Sequence, residues 1–450
     1  MIKIGQIQQM KQNNCCYNIK GTTSKSLLML TILVLVFSVL HLTASSITMK
    51  VDDTIYSPRL LRLTKDLQAG NDQALIGFWK EMQDKVPLEE PIAGDSHHIM
   101  VTFLWRGDDK TTSVSVFGGL PSANLAKHLK RLEETDVWYL TEVHSTEARF
   151  QYVFQINGPE SIPWNYREMM QTIERTPPQP DPLNWRNYAG WSYIELPDAP
   201  TQPWIIKQVG PLGRILKEKL ASKILNDTYS MNIYLPPGYD EGVGLCWLAI
   251  AFDGGFIEME TILNNLSNAG KIPPMVVVGI ENINRDRDLS CSDVFADFLA
   301  NELVPWARKS FRVYDDAAHT LVGGASLGGK MAVWCGLKHS EIFGKVLAQS
   351  GSFQTGAREE SAIDMWTGEA PHMIVSEFLN SQRLPLEIYL EVGRYETTLP
   401  FSPLMEDRRL RDVLIAKGYR VIYSEFVGGH NEICWRGSLA DGLIELTADH

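Results

Sequence analysis

The chain has 450 residues, 44% hydrophobic and 21% charged: too long for one compact core, and of ordinary globular composition. Its net charge of −12 excludes a general nucleic-acid-binding surface, so an anionic ligand would need a local cluster of Arg or Lys. Six cysteines form no Cys-x-x-Cys pair and no zinc pattern; no metal site is predicted, buried free thiols are expected, and a Cys291–Cys434 bridge is open to an exported protein.

In chain order, Lys3, Lys11, Lys20 and Lys25 precede an apolar run from Leu27 to Leu42, and Ala44-Ser45-Ser46 follows it. The run is short for a spanning helix, which needs ~20 apolar residues. Residues 1–46 therefore read as a cleaved signal peptide, with an uncleaved anchor as the other reading. A short helix is predicted around Leu60 to Leu67, helical spacing covers Ala74 to Met82, and Val86 to Ser96 is expected to be a loop. Strands are predicted at His98–Trp105, Thr112–Phe117, Val137–Leu140 and Phe150–Phe154. Short strands separated by turn residues predict an all-β domain, an immunoglobulin-like sandwich, over 55–200. The stretch Pro197 to Pro203 reads as a linker.

From residue 205 to 450 the pattern changes. Predicted strands at Tyr229–Leu235, Trp247–Phe252, Met275–Ile280, Lys345–Gln349, Leu386–Val392 and Arg420–Phe426 are largely apolar along their length. They alternate with helical segments such as Phe295–Arg308, which predicts an α/β domain with a sheet covered on both faces.

The strongest motif is Gly324-Ala325-Ser326-Leu327-Gly328, between an apolar strand at Leu321-Val322 and a helix starting near Leu327. A G-x-S-x-G turn in that context is a nucleophile elbow, which lifts the Ser hydroxyl above the sheet edge. A Ser hydroxyl needs a base. His430, in Gly428-Gly429-His430 directly after the last strand, is the candidate; His339, His372 and His450 lack such a position. The acid should follow the preceding strand, which favours Glu396 over Glu391. The oxyanion hole is predicted at the Leu327 N–H and at Gly255 or Phe256, in the turn after an earlier strand.

These residues resemble the enterochelin (ferric enterobactin) esterases. The resemblance rests on Val101-Thr102-Phe103-Leu104-Trp105-Arg106, Asp181-Pro182-Leu183-Asn184, the Arg285 to Cys291 stretch, Gly323 to Gly329, Gln349-Ser350-Gly351-Ser352, and Gly428-Gly429-His430 followed by Cys434-Trp435-Arg436-Gly437. It implies an α/β-hydrolase domain after a smaller β-sandwich, and hydrolysis of the ester bonds of a tri-catecholate siderophore. It implies no resident cofactor, because the iron arrives with the substrate. The chain departs from the family in Asn431, where Asp is frequent, and in its export-like leader.

A ferric tri-catecholate is an aromatic trianion. Arg285, Arg287, Arg394 and Arg436 are expected in loops at the rim of the site, and Trp435 is expected to stack on a catechol or hold an Arg. The leader implies a periplasmic or membrane-anchored protein; without export it would be cytoplasmic. Two other functions fit parts of the pattern: a feruloyl or acetyl esterase acting on polysaccharide, and a non-catalytic siderophore-binding protein.

Overall fold

The computed structural model describes residues 56–121, 126–158, 174–353, 373–397 and 402–448. The leader, His372 and His450 lie outside them.

The N-terminal part is a sandwich of two antiparallel sheets. One has the order β1-β2-β6-β5, built from β1 (Leu88–Ile92), β2 (Asp95–Arg106), β5 (Lys130–Arg131) and β6 (Val137–Ser145). The other has the order β4-β3-β7-β9-β8, from β3 (Val114–Gly118), β4 (Lys127–His128), β7 (Arg149–Ile156), β8 (Asn187–Tyr188) and β9 (Trp191–Glu195). Val101, Phe103, Val116, Phe150, Tyr152 and Phe154 fill the space between them, with Trp138 buried and Trp105 packed alongside. Helices Pro58–Gln68 and Ala74–Met82 cover the outer face of the first sheet through Leu60, Leu63, Phe78, Trp79 and Met82.

The predicted loop over Val86 to Ser96 is instead mostly a hairpin of β1 and the start of β2. The segment is Pro-rich and acidic, which favours a loop, but β1 is an edge strand, where the missing N–H of Pro91 is tolerated, and the register shifts between Pro91 and Ile92.

The C-terminal part is built on an eight-stranded sheet of order β10-β11-β13-β12-β14-β15-β16-β17. Its strands are β10 (Arg214–Ala221), β11 (Thr228–Leu235), β12 (Trp247–Ala251), β13 (Met275–Ile280), β14 (Thr320–Ala325), β15 (Lys345–Gln349), β16 (Glu387–Gly393) and β17 (Arg420–Phe426). β10 and β11 pair antiparallel, as do β11 and β13; every other pair is parallel. Strands β12, β13 and β15 are buried at every residue, and β12 and β13 therefore read as unbroken apolar runs. Each fully buried Val, Leu or Ile there contributes about 1.5–3 kcal/mol relative to exposure. The predicted helix Phe295–Arg308 lies within a longer helical run whose middle turn, Leu299–Leu303, is a π-helix.

All the parallel strands end at one sheet edge, so the loops after β12, β14, β15, β16 and β17 cluster there.

Candidate active site

β14 runs straight into the helix Leu327–Lys338, with Ser326 alone between them. Ser326 has φ 58° and ψ −123°, a conformation that costs an L-residue about 1–3 kcal/mol. The surroundings hold it: the Ser326 N–H donates to Gln349 O (2.9 Å), and the Ser352 N–H donates to Ser326 O (3.2 Å). A Cβ on Gly324 would lie 2.9 Å from the Gly328 backbone, so the turn closes only with glycine there. At Gly328 a Cβ would meet Phe252 at an ordinary 3.5 Å. Ser326 Oγ lies 3.3 Å from Ser352 Oγ, on the loop after β15.

His430 and Glu396 are brought together from the loops after β17 and β16. His430 Nδ1 and Glu396 Oε2 are 2.7 Å apart, so the ring presents its other nitrogen outward. The Glu396 side chain is almost fully buried, while that of His430 is 37% exposed, which leaves the base open to a substrate. Glu396 Oε1 accepts from Ser350 Oγ (2.6 Å) and the Gly393 N–H (2.8 Å), so the carboxylate is held by three donors. Ser326 and this pair are both tied to the segment after β15: Gln349 holds the Ser326 backbone and Ser350 holds Glu396.

Glu391 is the rejected alternative. It is fully buried on β16, where Gln349, Ser438 and Tyr389 donate to it. Burial pushes its carboxyl up to about 7.

At the predicted oxyanion hole, Phe252 and Asp253 border Gly328, and the Phe256 ring borders Gly323, so the loop after β12 lies against the elbow. The Gly255 N–H is spent within its own turn, donating to Phe252 O (3.0 Å). Of the two predicted donors on this loop, Phe256 is the one whose N–H is not held in that turn. Neither the Phe256 nor the Leu327 amide enters a backbone hydrogen bond among the described residues.

The predicted substrate-binding residues separate. Arg285 is partly exposed and forks onto Asp253 (2.8 and 3.0 Å), at the start of the oxyanion loop. Arg394 is exposed and 3.6 Å from Glu425. Arg287 is instead committed to Asp288, Asp227 and Tyr229, because Asp288 is buried and needs a cation. Arg285 and Arg287 stand on a short helix, Arg285–Leu289. Arg436 stands on the last helix, Glu432–Thr447, facing the sandwich: its guanidinium lies 4.6 Å from the Tyr188 ring and bonds Gln202.

Trp435 does not present its face to a ligand. It is buried, its indole N–H donates to Ser350 Oγ (2.8 Å), and its ring stands edge-on to His430. Nor are Cys291 and Cys434 bridged: both are free buried thiols. Cys291 sits in the core under one face of the sheet, and Cys434 donates to Arg149 O of the sandwich. Sequence reasoning missed Ser350 and Ser352 as site residues, although Gln349-Ser350-Gly351-Ser352 was among the segments that carried the resemblance.

Residues 222–446, half of the chain, match the family described as putative esterase, and residues 100–205 match the enterochelin esterase N-terminal family. The iron(III) enterobactin esterase of Dickeya dadantii is 28% identical over 414 residues, covering 84% of this chain and 93% of that protein. The iron(III) salmochelin esterase of Escherichia coli is 26% identical over 407 residues, covering 85% and 96%. The enterobactin esterase of Shigella flexneri, solved in the presence of enterobactin, superposes with a TM-score of 0.65 at 26% identity, covering 82% of this chain and 97% of that one. With the elbow at Ser326, the paired Glu396 and His430 and the sandwich ahead of them, the chain belongs to the enterochelin esterase family and is a carboxylic ester hydrolase.

Proposed function

We propose that this protein hydrolyses the ester bonds of a ferric tri-catecholate siderophore and so releases its iron. The observation that carries the chemistry is the 2.7 Å Glu396–His430 pair beside the Ser326 elbow. The substrate class is taken from relatives named iron(III) enterobactin and iron(III) salmochelin esterases, and from a similar structure solved with enterobactin.

In this reading the outward nitrogen of His430 takes the Ser326 proton as Oγ attacks the ester carbonyl. Glu396 stabilises the imidazolium and fixes its tautomer. The Leu327 and Phe256 amides receive the oxyanion. His430 then protonates the departing alcohol, and later activates the water that frees the acyl group. Arg285 and Arg394 are the exposed cations at the rim that would meet an anionic ligand. Iron enters and leaves as cargo of the siderophore.

Product analysis after incubation with ferric and iron-free tri-catecholate siderophore tests the reading. Linear ester-cleaved fragments are expected from the wild type and none from Ser326→Ala, which keeps binding within a few-fold because the pocket loses one hydroxyl. Undiminished turnover by purified Ser326→Ala would refute the nucleophile.

Export is a separate part of the proposal. The basic segment, apolar run and Ala44-Ser45-Ser46 support cleavage after Ser46 and a periplasmic mature protein. Cell fractionation with intact mass measurement tests it. A full-length mass in the soluble cytoplasm would refute it.

A further inference from the structure

Three of the hydrolase segments that carry candidate catalytic groups, the oxyanion, acid and histidine loops, touch the sandwich. At the oxyanion loop, burial and the neighbouring Glu258 carboxylate push the Tyr188 hydroxyl up. At the acid loop, Tyr395 immediately precedes Glu396. Its ring lies 5.8 Å from that of His144 and 5.9 Å from that of Phe150. Its hydroxyl is 3.4 Å from His144 Nδ1. At the histidine loop, the Arg149 N–H donates to Val427 O (3.0 Å), and Gly429 lies so close to Gly119 that a Cβ there would sit 2.4 Å from the Gly119 carbonyl.

These are interior contacts. His144 is 2% exposed and Phe150 fully buried. Tyr395 and Val427 pack onto the same core that fills the sandwich between its sheets. Behind His144, Glu142 Oε2 is 3.6 Å from Nε2, while the other Glu142 oxygen holds Lys127 (2.6 Å). A domain used only to hold a ligand could meet the hydrolase anywhere on its surface. This one meets it at the oxyanion, acid and histidine loops, where a displacement of ~1 Å can cost about a hundredfold in rate.

We propose that the sandwich acts on the chemical step, with His144 as a positioning residue that holds the Glu396 loop in place through Tyr395. The proposal rests on the roles given above to Ser326, Glu396 and His430. It assigns the sandwich a task separate from recognising the siderophore.

The test uses a small neutral p-nitrophenyl ester, which needs no siderophore pocket, alongside the siderophore itself. His144→Ala and Tyr395→Phe are expected to lower kcat on both substrates by about tenfold, the loss set by one buried hydrogen bond, with KM changed by less than about twofold. Labelling of Ser326 by a fluorophosphonate should slow by the same factor. His144→Asn, which can still bond the Tyr395 hydroxyl, should recover most of the rate. Wild-type kcat on the small ester together with a raised KM for the siderophore would overturn the proposal, because the contact would then serve binding. So would a folded Tyr395→Phe variant that takes the label at the wild-type rate; this decides the matter even if His144→Ala fails to fold. If wild-type protein cleaves the p-nitrophenyl ester but no siderophore, the substrate assignment fails while this inference is still read from the small ester.

Discussion

Trp435 stands edge-on to His430, with ring centroids 4.8 Å apart and 87° between the planes, while its indole N–H reaches the hydroxyl that holds Glu396. One side chain therefore braces both the base and its carboxylate partner.

Trp435→Phe keeps an aromatic edge near His430 and removes the N–H donor. It should lower kcat about tenfold, the cost of one buried hydrogen bond, and leave KM for the siderophore nearly unchanged. Steady-state kinetics check this. A raised KM with unchanged kcat would restore the catechol-stacking role that the buried ring argues against.

Glu396 and Glu391 should separate cleanly. Glu396→Gln leaves His430 with a neutral partner and should cut kcat by about a thousandfold or more. Glu391→Gln should keep most activity and change stability instead. Burial raises the Glu391 carboxyl to about 7, so between about pH 4.5 and 7 the folded protein holds a proton that the unfolded chain releases. That contribution is fully present below the unfolded value and is lost as pH rises through 7. Chemical denaturation should show this contribution, on the order of 3 kcal/mol, as part of a decline in wild-type stability over that window, to which other buried carboxyls such as Asp181 add. Glu391→Gln should flatten the decline.

The elbow glycines are not equivalent. Gly324→Ala should unfold the turn or abolish activity, because its Cβ meets the Gly328 backbone at 2.9 Å. Gly328→Ala finds ordinary contact at 3.5 Å and should stay folded, helped by the better helix propensity of Ala. Melting temperature and p-nitrophenyl ester turnover distinguish them.

Two arginines on one short helix should fail in different ways. Arg287→Ala strips the buried Asp288 of its cation and should cost about 2 kcal/mol of stability, seen as a lower Tm, with little change in KM. Arg285→Ala should raise KM for the ferric siderophore more than for a neutral ester. Equal effects on both substrates would make Arg285 structural too.

Legibility in the sequence followed the range of the contacts. The buried parallel strands were readable because burial on both faces leaves an apolar run, as in Met275–Ile280. The strand β10 was not, because it lies at the sheet edge with no residue fully buried, and Arg-Ile-Leu-Lys-Glu-Lys-Leu-Ala carries little of that signal. The elbow and the placement of His430 and Glu396 followed from local turns and strand order. What Trp435 and Ser350 do depends on partners tens of residues away in the chain, as does Arg287's hold on Asp227 and Tyr229, and no local pattern encodes that. Arg436 was expected on a loop at the rim, but the helix begins at Glu432 and turns the side chain onto Tyr188.

The four cysteines among the described residues, Cys246, Cys291, Cys335 and Cys434, are all buried free thiols. Burial raises Cys246 and Cys291 to about 11, and the other two are pushed up as well, so little thiolate exists at neutral pH. They amount to a set of internal clocks. A thiol-reactive dye added to native protein can label each one only when its surroundings open, so the order of labelling ranks the local openings of the molecule. Cys434, whose thiol donates to the sandwich carbonyl of Arg149, would time the parting of the two domains, and Cys335, inside the helix behind Ser326, the loss of the hydrolase core.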